Sequence, residues 1–211
     1  MIFERLTVGM LQTNCYLLGD ETSKQAIIID PGAEGARIFR RIDELGLNLS
    51  SILITHAHFD HVMAAWTLKN QLGCAIYLNP QDQPSLLQII FGLAARFHPE
   101  VRPTAPGQVD HGLSDGDTLE FGAIGIKVLG TPGHTPGHVS FYLSESGMLF
   151  SGDVIFAGSI GRTDFMGGSL QQLTASVRNR IFPLPENTLI YPGHGPRTTV
   201  GRELRHNPFF K

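Results

Sequence analysis

The chain has 211 residues, 42% of them hydrophobic and 17% charged, so it can bury a substantial core and has the balance of an ordinary soluble globular protein. Its formal net charge of −3, with no lysine or arginine block, argues against a nucleic-acid partner. Cys15 and Cys74 cannot build a disulfide framework and read as core thiols. No apolar run approaches a membrane span and the N-terminal residues lack the apolar centre of a signal peptide, so the expected setting is cytoplasmic.

In chain order, 16–18 and 26–29 read as strands joined by the polar hairpin 19–23. Residues 34–45 have helical spacing, with Ile38, Ile42 and Leu45 on one face and Gly46 as a stop. The apolar run Ile52-Leu53-Ile54 reads as a buried strand, and 62–72 as a helix. A second amphipathic stretch covers 80–97. Residues 118–121 and 124–129 suggest a strand pair around Gly122, and 139–143 and 148–150 two further strands. A third amphipathic, helical stretch is expected over 169–181, opened by a Ser169 cap, followed by a short strand at 188–190. The final stretch, 200–210, is too short for another domain, and no linker divides the chain, so one domain over 1–211 is expected.

Between the third strand and the next helix lies Thr55-His56-Ala57-His58-Phe59-Asp60-His61, four metal-ligand side chains within six positions. In extended chain, residues two apart point the same way, so His56 and His58 can grip one cation together. Asp60 and His61 come as the chain turns toward a helix and point to a neighbouring site. Three later ligand types sit in matching settings, at the end of an apolar run and flanked by glycine: His134 in Thr131-Pro132-Gly133-His134, Asp153 in Ser151-Gly152-Asp153, and His194 in Pro192-Gly193-His194. Loops of this kind at one sheet edge can converge on a common point. Five imidazoles and two carboxylates without a thiolate suit zinc, iron or manganese in an open site. Seven ligands are too many for one tetrahedral ion and suit two ions sharing a carboxylate. Such a pair, roughly 3.5–4 Å apart, lowers the pKa of a bridging water to near neutrality. The chemistry pointed to is metal-assisted hydrolysis.

His-x-His-x-Asp-His followed by single downstream His, Asp and His ligands resembles the metallo-β-lactamase superfamily, over nearly the whole chain from Ile29-Asp30-Pro31-Gly32 to the His194 loop. The resemblance implies an α/β fold, a four-layer αββα sandwich with the metals at one edge of two facing sheets. It also implies a ligand set. Residues matching His56, His58 and His134 hold the first ion, and those matching Asp60, His61 and His194 the second, with Asp153 bridging. Zinc is the first candidate, with iron and manganese as the others.

Gly161-Arg162-Thr163-Asp164-Phe165 and the tail Gly201-Arg202-Glu203 to Asn207-Pro208-Phe209 resemble the glyoxalase II branch, whose members hydrolyse S-D-lactoylglutathione to D-lactate and glutathione in methylglyoxal detoxification. The compact length and the His194 loop are most similar to its short bacterial type, which lacks the C-terminal helical domain of longer enzymes, so the glutathione-binding residues of those enzymes cannot be carried over. A thiolate leaves without a strong general acid, which suits attack by a bridging hydroxide on a carbonyl polarised by a metal. Asp60 is the group assigned to orient that hydroxide, with Asp153 as the second catalytic carboxylate. Arg162 is the candidate for structuring the pocket or meeting a substrate carboxylate, with an internal Arg162–Asp164 ion pair as the competing reading. The implied partner is a small-molecule glutathione thioester, with no nucleic acid and no membrane, the chain acting as a monomer or small homo-oligomer.

The alternative from the same resemblance is a persulfide dioxygenase using one iron on His56, His134 and Asp153. That branch usually has cysteine where His138 stands here. Hydrolysis of another ester, a lactam or a phosphodiester is the third reading. His138, at the head of a strand, reads as a buried histidine satisfied by its surroundings rather than a ligand. Asp30 reads as a turn residue or a support to the ligands. His98, His111 and His206 lack a metal-type setting, and Arg96, His98 and Arg102 suit either a solvated helix end or an anion-attracting rim.

Overall fold

The computed structural model describes residues 1–83 and 109–211, which fall into two compact units: Met1–Gly112 with Phe121–Ile124, and Leu113–Glu120 with Gly125–Lys211. The architecture is mixed α/β with two six-stranded sheets, as expected from the sequence.

The first sheet runs in the order β1 (Ile2–Val8), β2 (Thr13–Gly19), β3 (Gln25–Ile29), β4 (Asn48–Leu53), β5 (Ala75–Leu78), β6 (His111–Gly112). β1, β2 and β3 pair antiparallel, and β3 through β6 pair parallel. The parallel steps need crossovers, which α1 (Gly35–Glu44) supplies from β3 to β4 and α3 (Ala65–Leu72) from β4 to β5. Ile38 and Ile42 of α1, with Trp66 and Leu68 of α3, pack with Leu17, Ile28, Ile52 and Ile76 in one core. At about 25 cal/mol per Å², burying each of these large side chains contributes on the order of 1.5–3 kcal/mol. The edge strand β1 has no counterpart in the sequence reading, because its half-exposed residues alternate weakly.

The expected helix over 62–72 is instead two pieces, α2 (Phe59–Val62) and α3. The break has a tertiary cause. The Ala64 N–H donates to the Pro31 carbonyl (3.0 Å), outside its own helix, while Gly32 lies hard against the Asp60 carbonyl. A Cβ on Gly32 would stand 1.5 Å from that oxygen, so only glycine lets the β3–α1 turn pass. The consequence is that Asp60 and His61 sit inside a short helix, with His58 extended just before it.

The second sheet has the order β14 (Thr198–Thr199), β13 (Leu189–Pro192), β10 (Met148–Gly152), β9 (Val139–Leu143), β8 (Ile124–Gly130), β7 (Thr118–Phe121). Only β10 and β13 are parallel among its described pairings. The chain between them carries the β11–β12 hairpin (Ile155–Phe156, Ser159–Ile160) and α4 (Leu170–Ser176), which runs on into a π-helical turn, Val177–Ile181. Ser169 caps α4 as expected, its hydroxyl accepting from the Gln172 N–H (3.3 Å). Leu149, Leu173, Val177, Ile181, Ile190 and Val200 form this unit's core, the last from α5 (Val200–His206). The β10–β13 register shifts between Phe150 and Gly152, a bulge that re-aims the chain just before Asp153.

Of the expected helix over 80–97, the described part is a 3-10 turn, Pro80–Asp82; the remainder, with Arg96, His98 and Arg102, lies outside the described residues. His111 and His206, which lack a metal-type setting, are exposed. Among the described residues no helix is long and apolar enough to cross a membrane.

Candidate metal centre

In the first unit, β4 delivers the chain to Thr55, and the next six residues carry His56, His58, Asp60 and His61. His56 Nε2 and His58 Nδ1 face each other at 3.0 Å, so the same-side placement expected from extended chain is realised. The His56 and His61 rings stack tilted, centroids 4.2 Å apart, and both residues are fully buried. His61 Nε2 lies 3.5 Å from Asp60 Oδ2, which also accepts from the Thr13 hydroxyl at 2.9 Å.

One buried carboxylate organises this set. Asp30, 2% exposed, accepts from the Thr55 N–H (2.8 Å, Oδ1), the Thr55 hydroxyl (2.7 Å, Oδ2) and His61 Nδ1–H (2.9 Å, Oδ2). Since the Thr55 proton goes to Asp30, the contact between His56 Nδ1 and Thr55 Oγ1 (3.0 Å) must have the ring donating. Both histidines are thereby held as Nδ1–H tautomers, with the lone pair on Nε2. Asp30 is therefore a support to the ligands. A second buried acid, Asp82, accepts from the Ala57 N–H (3.0 Å) and pins the residue between His56 and His58. Sequence reasoning missed Thr13, Thr55 and Asp82. An acid in Asn79-Pro80-Gln81-Asp82 looks like a solvated turn, and nothing local says that it is buried.

In the second unit the three donors come from separate loops around Asp153. His134 Nε2 lies 3.7 Å and His194 Nε2 3.6 Å from the same Asp153 oxygen, Oδ2. His134 donates through Nδ1 to the Arg162 carbonyl (2.7 Å), which again leaves the lone pair on Nε2. Gly161, one residue earlier, abuts the Asp153 carbonyl; a Cβ there would stand 1.7 Å from it. The Phe156 ring meets the half-buried His194 ring edge-on, centroids 6.3 Å apart.

His138 is buried and satisfied. Its Nε2 accepts from the Asp153 N–H (3.1 Å), so Nδ1 carries the proton and donates to Thr131 Oγ1 (2.8 Å). Thr131 then donates to Ser140 Oγ (3.0 Å), which donates to the Ser151 carbonyl (3.4 Å). The expectation of a buried, satisfied histidine holds, and the structure adds what it does: it fixes the Asp153 backbone.

Arg162 is exposed. Its guanidinium grips Asp164 through Nε (2.8 Å) and Nη2 (2.7 Å) and lies 3.7 Å from the centre of the Phe165 ring. The hydrogen bonds from Arg162 hold the Asp164 carboxyl at about 2. The internal ion pair of the competing reading is thus present.

The donor set fits divalent ions. All seven donors are imidazole or carboxylate, and their supports turn Nε2 lone pairs outward at His56, His61 and His134. Within each unit the gaps between donor atoms, 3.0 to 3.7 Å, match what bonds of about 2.0–2.2 Å to one shared ion impose. An ion placed between them would satisfy the Nε2 lone pairs and the carboxylate oxygens at these distances.

Residues 8–194 match the model of the metallo-beta-lactamase superfamily. The hydroxyacylglutathione hydrolase GloC of Haemophilus influenzae is 40% identical over 210 residues, covering 99% of this chain and 98% of that protein. A mitochondrial persulfide dioxygenase of Bos taurus is 37% identical over 202 residues, 93% of this chain and 70% of that protein. Among solved structures, the BLEG-1 B3 metallo-beta-lactamase superposes with a TM-score of 0.90 at 39% identity, covering 99% of each chain.

Proposed function

Because this chain belongs to the metallo-beta-lactamase superfamily, we propose that its two donor sets together hold two divalent ions and that it hydrolyses glutathione thioesters, S-D-lactoylglutathione first among them. His56, His58 and His134 hold one ion; Asp60, His61 and His194 hold the other, with Asp153 shared between them. Zinc suits the donors best, and iron and manganese fit the same set. Ions held there supply a Lewis acid for the thioester carbonyl and a hydroxide at neutral pH.

The chain's own residues set the stage for that chemistry. Asp60 is oriented by the Thr13 hydroxyl, which occupies Oδ2 and fixes the carboxylate plane beside His61. Asp153 is held from behind by His138. No general acid is required of the protein, because a thiolate leaves as the anion. Arg162 has five N–H donors, of which Asp164 takes two, so the remainder can meet a substrate carboxylate at the rim. The reducing cytoplasm suits two buried free thiols, Cys15 and Cys74.

The observation that carries the thioester reading is the end-to-end likeness to GloC, against a match to the persulfide dioxygenase that leaves 30% of that protein uncovered. The test is anaerobic hydrolysis of S-D-lactoylglutathione by metal-analysed protein, following free thiol, with Asp153→Ala as control. The expected result is oxygen-independent thiol release that the variant loses. Oxygen uptake with glutathione persulfide and no thiol release from the thioester would overturn it in favour of the dioxygenase. Turnover of a lactam alone would overturn both.

A further inference from the structure

The tail Gly201-Arg202-Glu203 to Asn207-Pro208-Phe209 stood out in the sequence, yet none of its side chains is among the donors. Its acid is unusual. Glu203 lies on α5 and is 1% exposed, a burial that is unfavourable for a carboxylate unless donors surround it. Three do. Oε1 accepts from the Thr198 hydroxyl (2.6 Å), and Oε2 accepts from the Gly158 N–H (2.9 Å) and from Asn207 Nδ2 (2.9 Å). Asn207 Nδ2 also donates to the Ser159 carbonyl (3.0 Å).

These partners are not scattered. Gly158 lies in the turn of the β11–β12 hairpin and Ser159 opens β12; the hairpin begins two residues after Asp153 and ends at Ile160, two before Arg162. The Arg162 carbonyl is the acceptor for His134, and Phe156 on the same hairpin abuts His194. Thr198 follows His194 by four residues, at the start of β14. One side chain therefore ties together the segments that carry or brace all three donors of the second unit.

We propose that Glu203, with Asn207, is a positioning residue: a latch through which the C-terminal helix holds Asp153, His134 and His194 in register for metal. The inference rests on the metal-centre reading above but not on the thioester substrate. Groups hydrogen-bonded directly to a metal ligand typically change metal affinity by about 10–100-fold when removed; Glu203 acts one contact further out, so the low end of that range is expected. Glu203→Ala leaves the Gly158 N–H, the Thr198 hydroxyl and one of the two Asn207 amide hydrogens without their acceptor. Glu203→Gln keeps the latch, its carbonyl accepting from Gly158 and Asn207 while its amide donates to a reversed Thr198 hydroxyl.

The experiment loads wild type, E203A, E203Q and N207A with zinc and follows zinc release into excess chelator. Amide hydrogen exchange is read in parallel on the metal-free proteins. E203A is expected to release zinc about tenfold faster and to raise exchange at residues 155–162. N207A should fall between it and wild type, and E203Q should stay near wild type. N207A carries the test if E203A does not fold. A folded E203A or N207A with wild-type release and exchange overturns the latch, whatever its melting temperature. A wild-type chain that takes up no zinc, iron or manganese overturns the metal centre and the latch with it. One that loads metal but ignores lactoylglutathione overturns only the thioester reading.

Discussion

In the first unit four donors lie within six consecutive residues, and one buried carboxylate, Asp30, sets the tautomers of two of them. In the second, three donors come from loops 19 and 41 residues apart, and their supports are a neutral histidine relay through His138, a peptide carbonyl at Arg162 and the tail carboxylate Glu203. Contiguity lets two buried acids, Asp30 and Asp82, do the organising. Dispersed ligands need a separate brace for each loop. One device is shared: a glycine, Gly32 in one unit and Gly161 in the other, pressed against the backbone carbonyl of a candidate donor aspartate.

That shared device gives the largest expected effects. Gly32→Ala and Gly161→Ala each drive a methyl into a backbone oxygen that cannot step aside, and each should destabilise by about 3 kcal/mol or more. Urea unfolding of the metal-free proteins measures this. Either variant with wild-type stability would show that the close approach is not required, and would break the parallel between the units.

Next come the organisers themselves. Asp30→Ala strands the Thr55 N–H and the His61 Nδ1–H in a buried site, at a cost of about 2–5 kcal/mol. It should also free both rings to change tautomer, which imidazole nitrogen chemical shifts would register. His138→Ala removes a neutral acceptor and should cost less, about 1–3 kcal/mol, leaving the His56 and His61 shifts unmoved. Equal effects on those shifts from the two variants would contradict a division of labour between Asp30 and His138.

A smaller effect tracks pH. Asp164 has its pKa depressed to about 2 by Arg162, against about 4 in the unfolded chain. Its pairing therefore stabilises the fold fully above about pH 4 and loses that contribution as pH falls toward about 2. The melting-temperature gap between wild type and Asp164→Asn should be flat from neutral pH down to that window and close within it. A gap that instead opens on acidification has the wrong sign. The smallest signal is chemical: burial pushes the Cys74 thiol up to about 11 and raises Cys15 as well, so neither should react with a thiol reagent at pH 8 before unfolding.

The same contrast explains what the sequence could and could not tell. The His56–His61 cluster declares itself because ligand types crowd a strand end, and strand–glycine–ligand settings flag His134, Asp153 and His194 without help from any neighbour. The helices at 34–45 and 169–181 were legible for a similar reason, since spacing and caps are local. What escaped is long-range. Thr13 reaches Asp60 across 47 residues and Glu203 reaches Gly158 across 45, and neither has a local pattern that marks it as buried. The break between α2 and α3 was hidden for the same reason, since it depends on Pro31 and Gly32 arriving from another part of the chain.

The most direct test of the account is a count of ions. Equilibrium titration of metal-free chain with zinc should give two ions per chain for wild type and one each for His58→Ala and His194→Ala, which remove a donor from different units. A wild-type chain saturating at one ion, or a variant that keeps both with unchanged affinity, would contradict a centre built jointly from the two donor sets.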